Sequence, residues 1–224
     1  MKKFILILSG LALAFVCLFV FGCNDDFGLS EYVSELKQDV YIGDNDHYEL
    51  TASYGYKENP LARDGKVGNR VYALVFRLVG EETSSIEFCI ELNIDGQTKN
   101  ATFSIDPVSN KMTAFILADQ KFNQKEFDVT LKSAGQNVKI KMKSLVPSNA
   151  LDNKSALKKL HENNKSLVDT YMENGVFNGE IIQRIIVKDG KPYWYIGLAD
   201  KNGSLKALLI DGVTGQTLAI RHVF

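Results

Sequence analysis

Three groups of side chains in this 224-residue chain are of types that could do chemistry. His161-Glu162-Asn163-Asn164-Lys165 begins like the helical zinc-peptidase pattern, in which two histidines one turn apart hold the metal. Lys165 stands where the second histidine would be, so the segment reads as a solvated helix face. Gly43 to Glu49 gathers Asp44, Asp46, His47 and Glu49. A hard cation takes several oxygens from one loop, but the glycine and distal glutamate of a calcium loop are missing, and a polar turn is the better reading. Cys89 lies between Glu87 and Glu91 on the polar face of a strand, where negative neighbours disfavour a thiolate nucleophile. No spacing links His47 or His222 to it as a base. The nucleophile-elbow, phosphate-loop, dinucleotide and C-x-x-C patterns are all missing. No catalytic residue, metal or cofactor is therefore assigned, and the chain is expected not to be an enzyme. A hydrolase with scattered acid–base residues stays open, since such pairs need no local motif.

Two segments have the composition of a binding site. The first, Tyr54 to Asn69, is the longest irregular stretch and holds Tyr54, Tyr56, Lys57, Glu58, Arg63 and Asp64 near Pro60 and Asp64-Gly65. Long loops at the end of a β-sandwich often bind, and they also simply cross between sheets. The second is Tyr193-Trp194-Tyr195, three consecutive aromatics. On a strand the tryptophan faces away from the two tyrosines, so one face packs inward and the other can meet a protein or peptide. Lys132, Lys139, Lys141 and Lys143 share one face of a hairpin. They could meet anionic polymer or lipid, but a charged edge that blocks sheet-to-sheet pairing is favoured.

The N-terminus bounds the location. Lys2 and Lys3 precede an uncharged, apolar run from Phe4 to Phe21. That length falls between a signal-peptide core and a membrane helix. Val20, Gly22 and Cys23 at its exit resemble the lipobox of bacterial lipoproteins. The resemblance implies cleavage before Cys23, a lipid on that cysteine and an extracytoplasmic protein held at the cell membrane. A cut there leaves 202 of the 224 residues. A retained membrane helix is the alternative. Cys17, within the run, reads as a small apolar residue.

Charge and cysteines exclude some classes. The net charge is −1, and −3 without Lys2 and Lys3, from 24 Lys and Arg against 27 Asp and Glu. That does not suggest a nucleic-acid partner. With Cys23 lipidated, Cys89 has no partner in its own chain, which excludes a disulfide scaffold.

The elements that must position these residues follow from periodicity. From Tyr48 to Lys143 the period is two, with Tyr48, Leu50, Ala52, Tyr54 and Tyr56 on one face. Arg70 to Val79 is apolar on both faces and reads as a central strand. Ile86 to Ile94, the Asp95-Gly96 turn and Thr98 to Ile105 form a hairpin. Met112 to Ala118 is a further strand, and Phe127 to Leu131 pairs with Val138 to Met142. About seven short strands without a helix predict an antiparallel β-sandwich, immunoglobulin-like, over 38–146, tethered to the anchor by 23–37. The period then changes. Asn149 or Asp152 caps a helix predicted to run to about Met172, stopped by Asn174-Gly175. Four hairpin-linked strands follow, Ile181 to Val187, Tyr193 to Leu198, Leu205 to Ile210 and Thr217 to Val223. A helix followed by an antiparallel sheet predicts an α+β unit over 147–224.

Within that unit, Gly190 to Ala219 is similar to a PepSY-type domain, with Asp211, Thr214 and Gly215 matching the turn before its closing strand. The resemblance implies a non-enzymatic domain of envelope proteins and propeptides that restrains proteases or binds partners. The expectation is therefore a membrane-anchored lipoprotein that binds a protein. The alternative is a receptor for a small ligand or glycan through the 54–69 loop.

Overall fold

The computed structural model describes residues 28–61, 65–80, 87–133 and 135–223. Cys23, Arg63, Asp64 and the run from Phe4 to Phe21 lie outside them. The fold is mostly β, built of antiparallel sheets with a curled half-barrel and one interrupted helical segment.

A 3-10 turn, Leu29–Tyr32, leads into β1 (Val33–Asp44). β2 (Tyr48–Glu58), β3 (Arg70–Gly80), β4 (Phe88–Ile94), β5 (Gln97–Thr102), β6 (Ser104–Asp106) and β7 (Lys111–Leu117) follow. β8 (Glu126–Ser133) and β9 (Gln136–Ser144) precede the helical pieces Asn153–Asn163 and Lys165–Asp169. A small hairpin comes next, β10 (Met172–Glu173) with β11 (Val176–Phe177). The chain ends in β12 (Gly179–Lys188), β13 (Lys191–Asp200), β14 (Leu205–Asp211) and β15 (Thr217–Val223).

The main sheet runs β15-β14-β13-β12-β1-β2-β3-β7-β6. A second arm, β9-β8-β4-β5, branches from the far end of β1, where Tyr41 and Ile42 pair with Ser144 and Lys143. This arm folds over the inner face of β1-β2-β3-β7. Between them lies the first core, including Tyr41, Leu50, Tyr54, Phe76, Phe88 and Met142. The second core sits on the same face of the main sheet further along. There Ala156, Leu157 and Leu160 of the helix cover Ile181, Ile185, Trp194, Ile196 and Leu208.

β1 serves both cores. Its first half pairs in parallel with β12, and Val33 and Leu36 enter the second core, whereas Tyr41 enters the first. Leu36 and Tyr41 are an odd number of residues apart, so a regular strand would point them to opposite faces. A bulge at Gln38 corrects the phase, since Lys37 pairs with Gly55 and Asp39 with the next residue, Tyr54. The described part of the segment expected as a tether, 28–37, is thus core structure.

Other departures have local causes. The return strand expected from Thr98 to Ile105 breaks at buried Phe103, so β5 pairs with β4 and β6 with β7. Asp152 does cap the helix, accepting from the Ser155 N–H at 2.7 Å. The helix is nevertheless interrupted at Asn164 and resumes over Lys165–Asp169, ending short of Met172. The Asn164 amide donates to the Leu160 carbonyl at 3.2 Å and to Thr217 Oγ1 at 2.7 Å, and its backbone leaves the helical region. β8 is enclosed between β4 and β9, but β9 meets β1 only at Lys143 and Ser144, so Lys139 and Lys141 stand on an open edge among the described residues. Lys132 and Lys141 also form ion pairs with Glu91 and Glu126.

Gly55 faces the bulge. A Cβ there would overlap the Leu36 carbonyl oxygen, which is backbone and cannot swing away. Gly55→Ala is expected to cost about 3 kcal/mol of stability through this overlap, read as a lower urea midpoint. An unchanged midpoint would show that the two strands separate freely at this point.

Candidate functional site

The site grows from the double-sided character of β3. Leu74, Phe76 and Leu78 fill the first core. Val71, Ala73 and Val75 point to the other face, which no layer of described residues covers. Their cross-strand neighbours are small at the centre, Gly55 opposite Ala73 and Ser53 opposite Val75, and larger at the rim, where Phe115 lies opposite Val75. The result is a trough of roughly 630 Å3 across β1, β2, β3 and β7, closed on its far side by Ala101, Thr102 and Ser104. Cavities of about this volume hold small molecules. With strands about 4.8 Å apart, the trough crosses about 14 Å from β1 to β7.

One end of the trough is charged. Glu35 is buried on the outer face of β1. Its Oε1 accepts from Arg184 Nε at 2.6 Å, and its Oε2 lies 3.2 Å from Lys57 Nζ. Burial is the largest influence on this carboxyl and opposes its charge. The hydrogen bond and field of Arg184, then those of Lys57, together outweigh it and hold the pKa below the usual carboxylate range. Lys37 is half-buried beside them, register partner of both Arg184 and Gly55. It has no ion-pair partner among the described residues. Burial first of all pushes its pKa down; Glu35 opposes this, and the nearby Arg184, Arg77 and Lys57 add to it. Three cations thus share one carboxylate, and the end of the trough carries surplus positive charge.

The aromatic strand adjoins this cluster. Arg184 lies opposite Tyr195, and Tyr195 opposite Leu209, so Lys37, Arg184, Tyr195 and Leu209 form a row across four strands. Tyr193 and Tyr195 are half-buried on this outer face. Trp194 points the other way into the second core, where its Nε1–H donates to the Leu151 carbonyl at 3.0 Å.

The residues singled out in the sequence are placed unevenly. Tyr54, Tyr56, Lys57 and Glu58 belong to β2, not to a loop, and the irregular stretch begins at Asn59. Tyr54 is a core side chain whose hydroxyl donates to the Asp119 carbonyl at 2.7 Å. Tyr56 is buried beneath the Arg70 guanidinium, 5.0 Å from its ring. Glu58 is buried and accepts from the Gly68 N–H at 2.6 Å. Lys57 alone of these four reaches the cluster around Glu35. Asp44 and Glu49 pair across the ends of β1 and β2, and the turn between them is 45–47, in which Asn45 Oδ1 accepts from the His47 and Tyr48 N–H groups. Among the described residues, no group of three His, Cys, Asp or Glu side chains is arranged to hold a metal. No helix of the described residues is long and apolar enough to cross a membrane.

Glu35, Lys37 and Arg184 were not recognisable as a group. They come from strands paired in parallel across about 149 positions of the chain. The one available signal was the apolar outer face of β3, which a single core does not require.

The depressed pKa of Glu35 has a definite consequence for stability. A carboxyl whose folded pKa lies below its unfolded value, about 4.3, contributes stability above that value and loses it as pH falls through the folded pKa. Glu35→Gln is expected to cost about 1–2 kcal/mol at pH 7, after discounting for the exposed ends of Lys57 and Arg184. The difference from the parent chain should vanish in denaturation curves taken progressively below pH 4. Compared with known proteins, the chain matches no family model and no curated protein.

Proposed function

We propose that the chain is a non-enzymatic lipoprotein of the bacterial envelope, anchored by a lipid on Cys23, and that it binds a protein partner through its C-terminal half. The observation that carries this reading is the open outer face of β12 to β14. Ile182, Tyr193, Tyr195 and Leu209 lie there on one side of a sheet whose other side is closed by the helix. Aromatic side chains on a rigid sheet bury large area at little entropic cost, which suits a protein interface.

Two finer readings belong with it. The half-barrel of 38–146 is read as an immunoglobulin-like variant, and 147–224 as PepSY-like. The latter is supported by a helix over four antiparallel strands and by the closing turn. In that turn Asp211 Oδ1 accepts from the N–H groups of Val213 and Thr214 and from Thr214 Oγ1, while Gly215 adopts φ 77°. Such a domain would restrain an envelope protease or hold another protein.

Cys23→Ala is expected to abolish labelling of the protein by a metabolic fatty-acid probe; persistent label would place the lipid elsewhere. Crosslinking in intact envelopes, followed by purification of the full chain, should recover one recurrent protein with the parent chain. Tyr195→Asp should reduce that recovery at least tenfold. Repeated recovery of no specific protein would count against the reading.

A second reading is favoured by one observation, the trough over Gly55 and Ala73. In this reading the chain is an extracytoplasmic receptor for a small ligand, held on the strands and not by the 54–69 loop.

A further inference from the structure

We infer that the trough takes an amphiphilic monocarboxylate, with its acid head at Lys37 and Arg184 and an unbranched apolar body lying across Gly55 and Ala73 toward Phe115. The inference rests on the reading of the chain as a small-ligand receptor and gives that ligand a chemical class.

The head is dictated by charge. Glu35 already shares itself between Arg184 and Lys57, at 2.6 and 3.2 Å. Lys37 beside them is half-buried and without a counter-ion among the described residues. A desolvated ammonium next to two further cations favours an incoming anion, and an ionised acceptor forms the stronger, charge-assisted hydrogen bond. Three cations against Glu35 leave two positive charges, enough to hold one anionic head at this end of the trough. A polyanion reaching along the trough would carry its further charges over Gly55, Ala73 and Val71, which offer no side-chain donor.

The body is dictated by the floor. Gly55, Ala73, Val71 and Val75 offer no side-chain hydrogen-bonding group. Away from the bulge at Gln38, the backbone groups of β1, β2, β3 and β7 are committed to the sheet ladder. A peptide or glycan laid across them would meet hydroxyls only at Ser53 and on the side of Thr102, Ser104 and Thr113, and would leave its groups over Val71, Gly55 and Ala73 unmatched, at a cost of roughly 1–3 kcal/mol per group. An alkyl body loses nothing there and gains burial against Val75 and Phe115. The trough also runs across the strands and not along a free edge, so it cannot add a peptide as an extra strand.

The test uses the full chain in intact envelopes, with a photoactivatable alkyl carboxylate carrying a mid-chain diazirine and its matched alcohol. Crosslinked peptides are mapped by mass spectrometry and counted only when light-dependent, which separates them from metabolic label on Cys23. The carboxylate is expected to label peptides containing Val71 to Val75 or Thr113 to Phe115 at least tenfold more than the alcohol. Lys37→Met should bring its yield down to the alcohol's level, and Lys57→Met should lower it less. Ala73→Phe, filling the floor, should suppress labelling by both probes, with thermal melts of each variant showing that the fold is kept. Equal labelling of the trough by acid and alcohol, unaffected by Lys37→Met, would overturn the carboxylate inference and leave the receptor reading standing. Failure of both probes to label the trough would overturn both.

Discussion

The structure depends on β1 changing phase at Gln38. One strand has to present Val33 and Leu36 to the helix-covered core and Tyr41 to the half-barrel core, and strict alternation forbids that. The bulge resolves the conflict with a single extra residue. It also brings the Leu36 carbonyl against β2, where only a glycine fits, and so it sets the small floor of the trough. Fold and candidate site therefore share one cause. The kink that joins the two cores on the inner face leaves a depression on the outer face.

The far end of β1 is fixed by polar contacts. The Asp39 carboxylate accepts from Ser144 Oγ at 2.6 Å and Lys125 Nζ at 2.8 Å, and the Leu145 N–H donates to the Val40 carbonyl at 2.8 Å. These bonds hold β9 where the half-barrel arm leaves the main sheet. At the near end, Arg184 and Glu35 tie β12 to β1 through a buried carboxylate. A salt bridge of this kind adds little stability beyond an apolar pair, but it penalises other registers, since a slip would leave Glu35 buried without Arg184.

Features set by neighbours in sequence were legible, and features set by distant strands were not. Asp95-Gly96 and Asp189-Gly190 adopt positive φ at both positions of their turns, and that preference is written in the two residues themselves. Alternation placed Leu50, Ala52, Tyr54 and Tyr56 on the buried face of β2. It could not tell that Tyr54 is core rather than contact, because a tyrosine has both an apolar ring and a polar tip. The tryptophan's inward direction depended on which face the helix covers. Asn164 broke the helix because Thr217, more than fifty residues away, offered its amide a competing partner. The segment 23–37 was expected as a tether because the two bulges, at Ser34 and Gln38, break the alternation that marks a strand. Lys37 was hidden for the same reason.

The parallel pairing of β1 with β12 also sets a schedule. Ser34 and its partner Ile181 are 147 positions apart. A chain made from its N-terminus presents Val33 and Leu36 early and the strand that pairs beside them only after every hairpin of the half-barrel and the helix. Until β12 arrives, half of β1 is an open edge with apolar side chains, the type of segment that pairs with strangers. Closing so long a loop is slow compared with forming the local hairpins on either side. The assembly of this protein is therefore gated at its first strand, and its vulnerable period spans the synthesis of the 147 positions from Ser34 to Ile181.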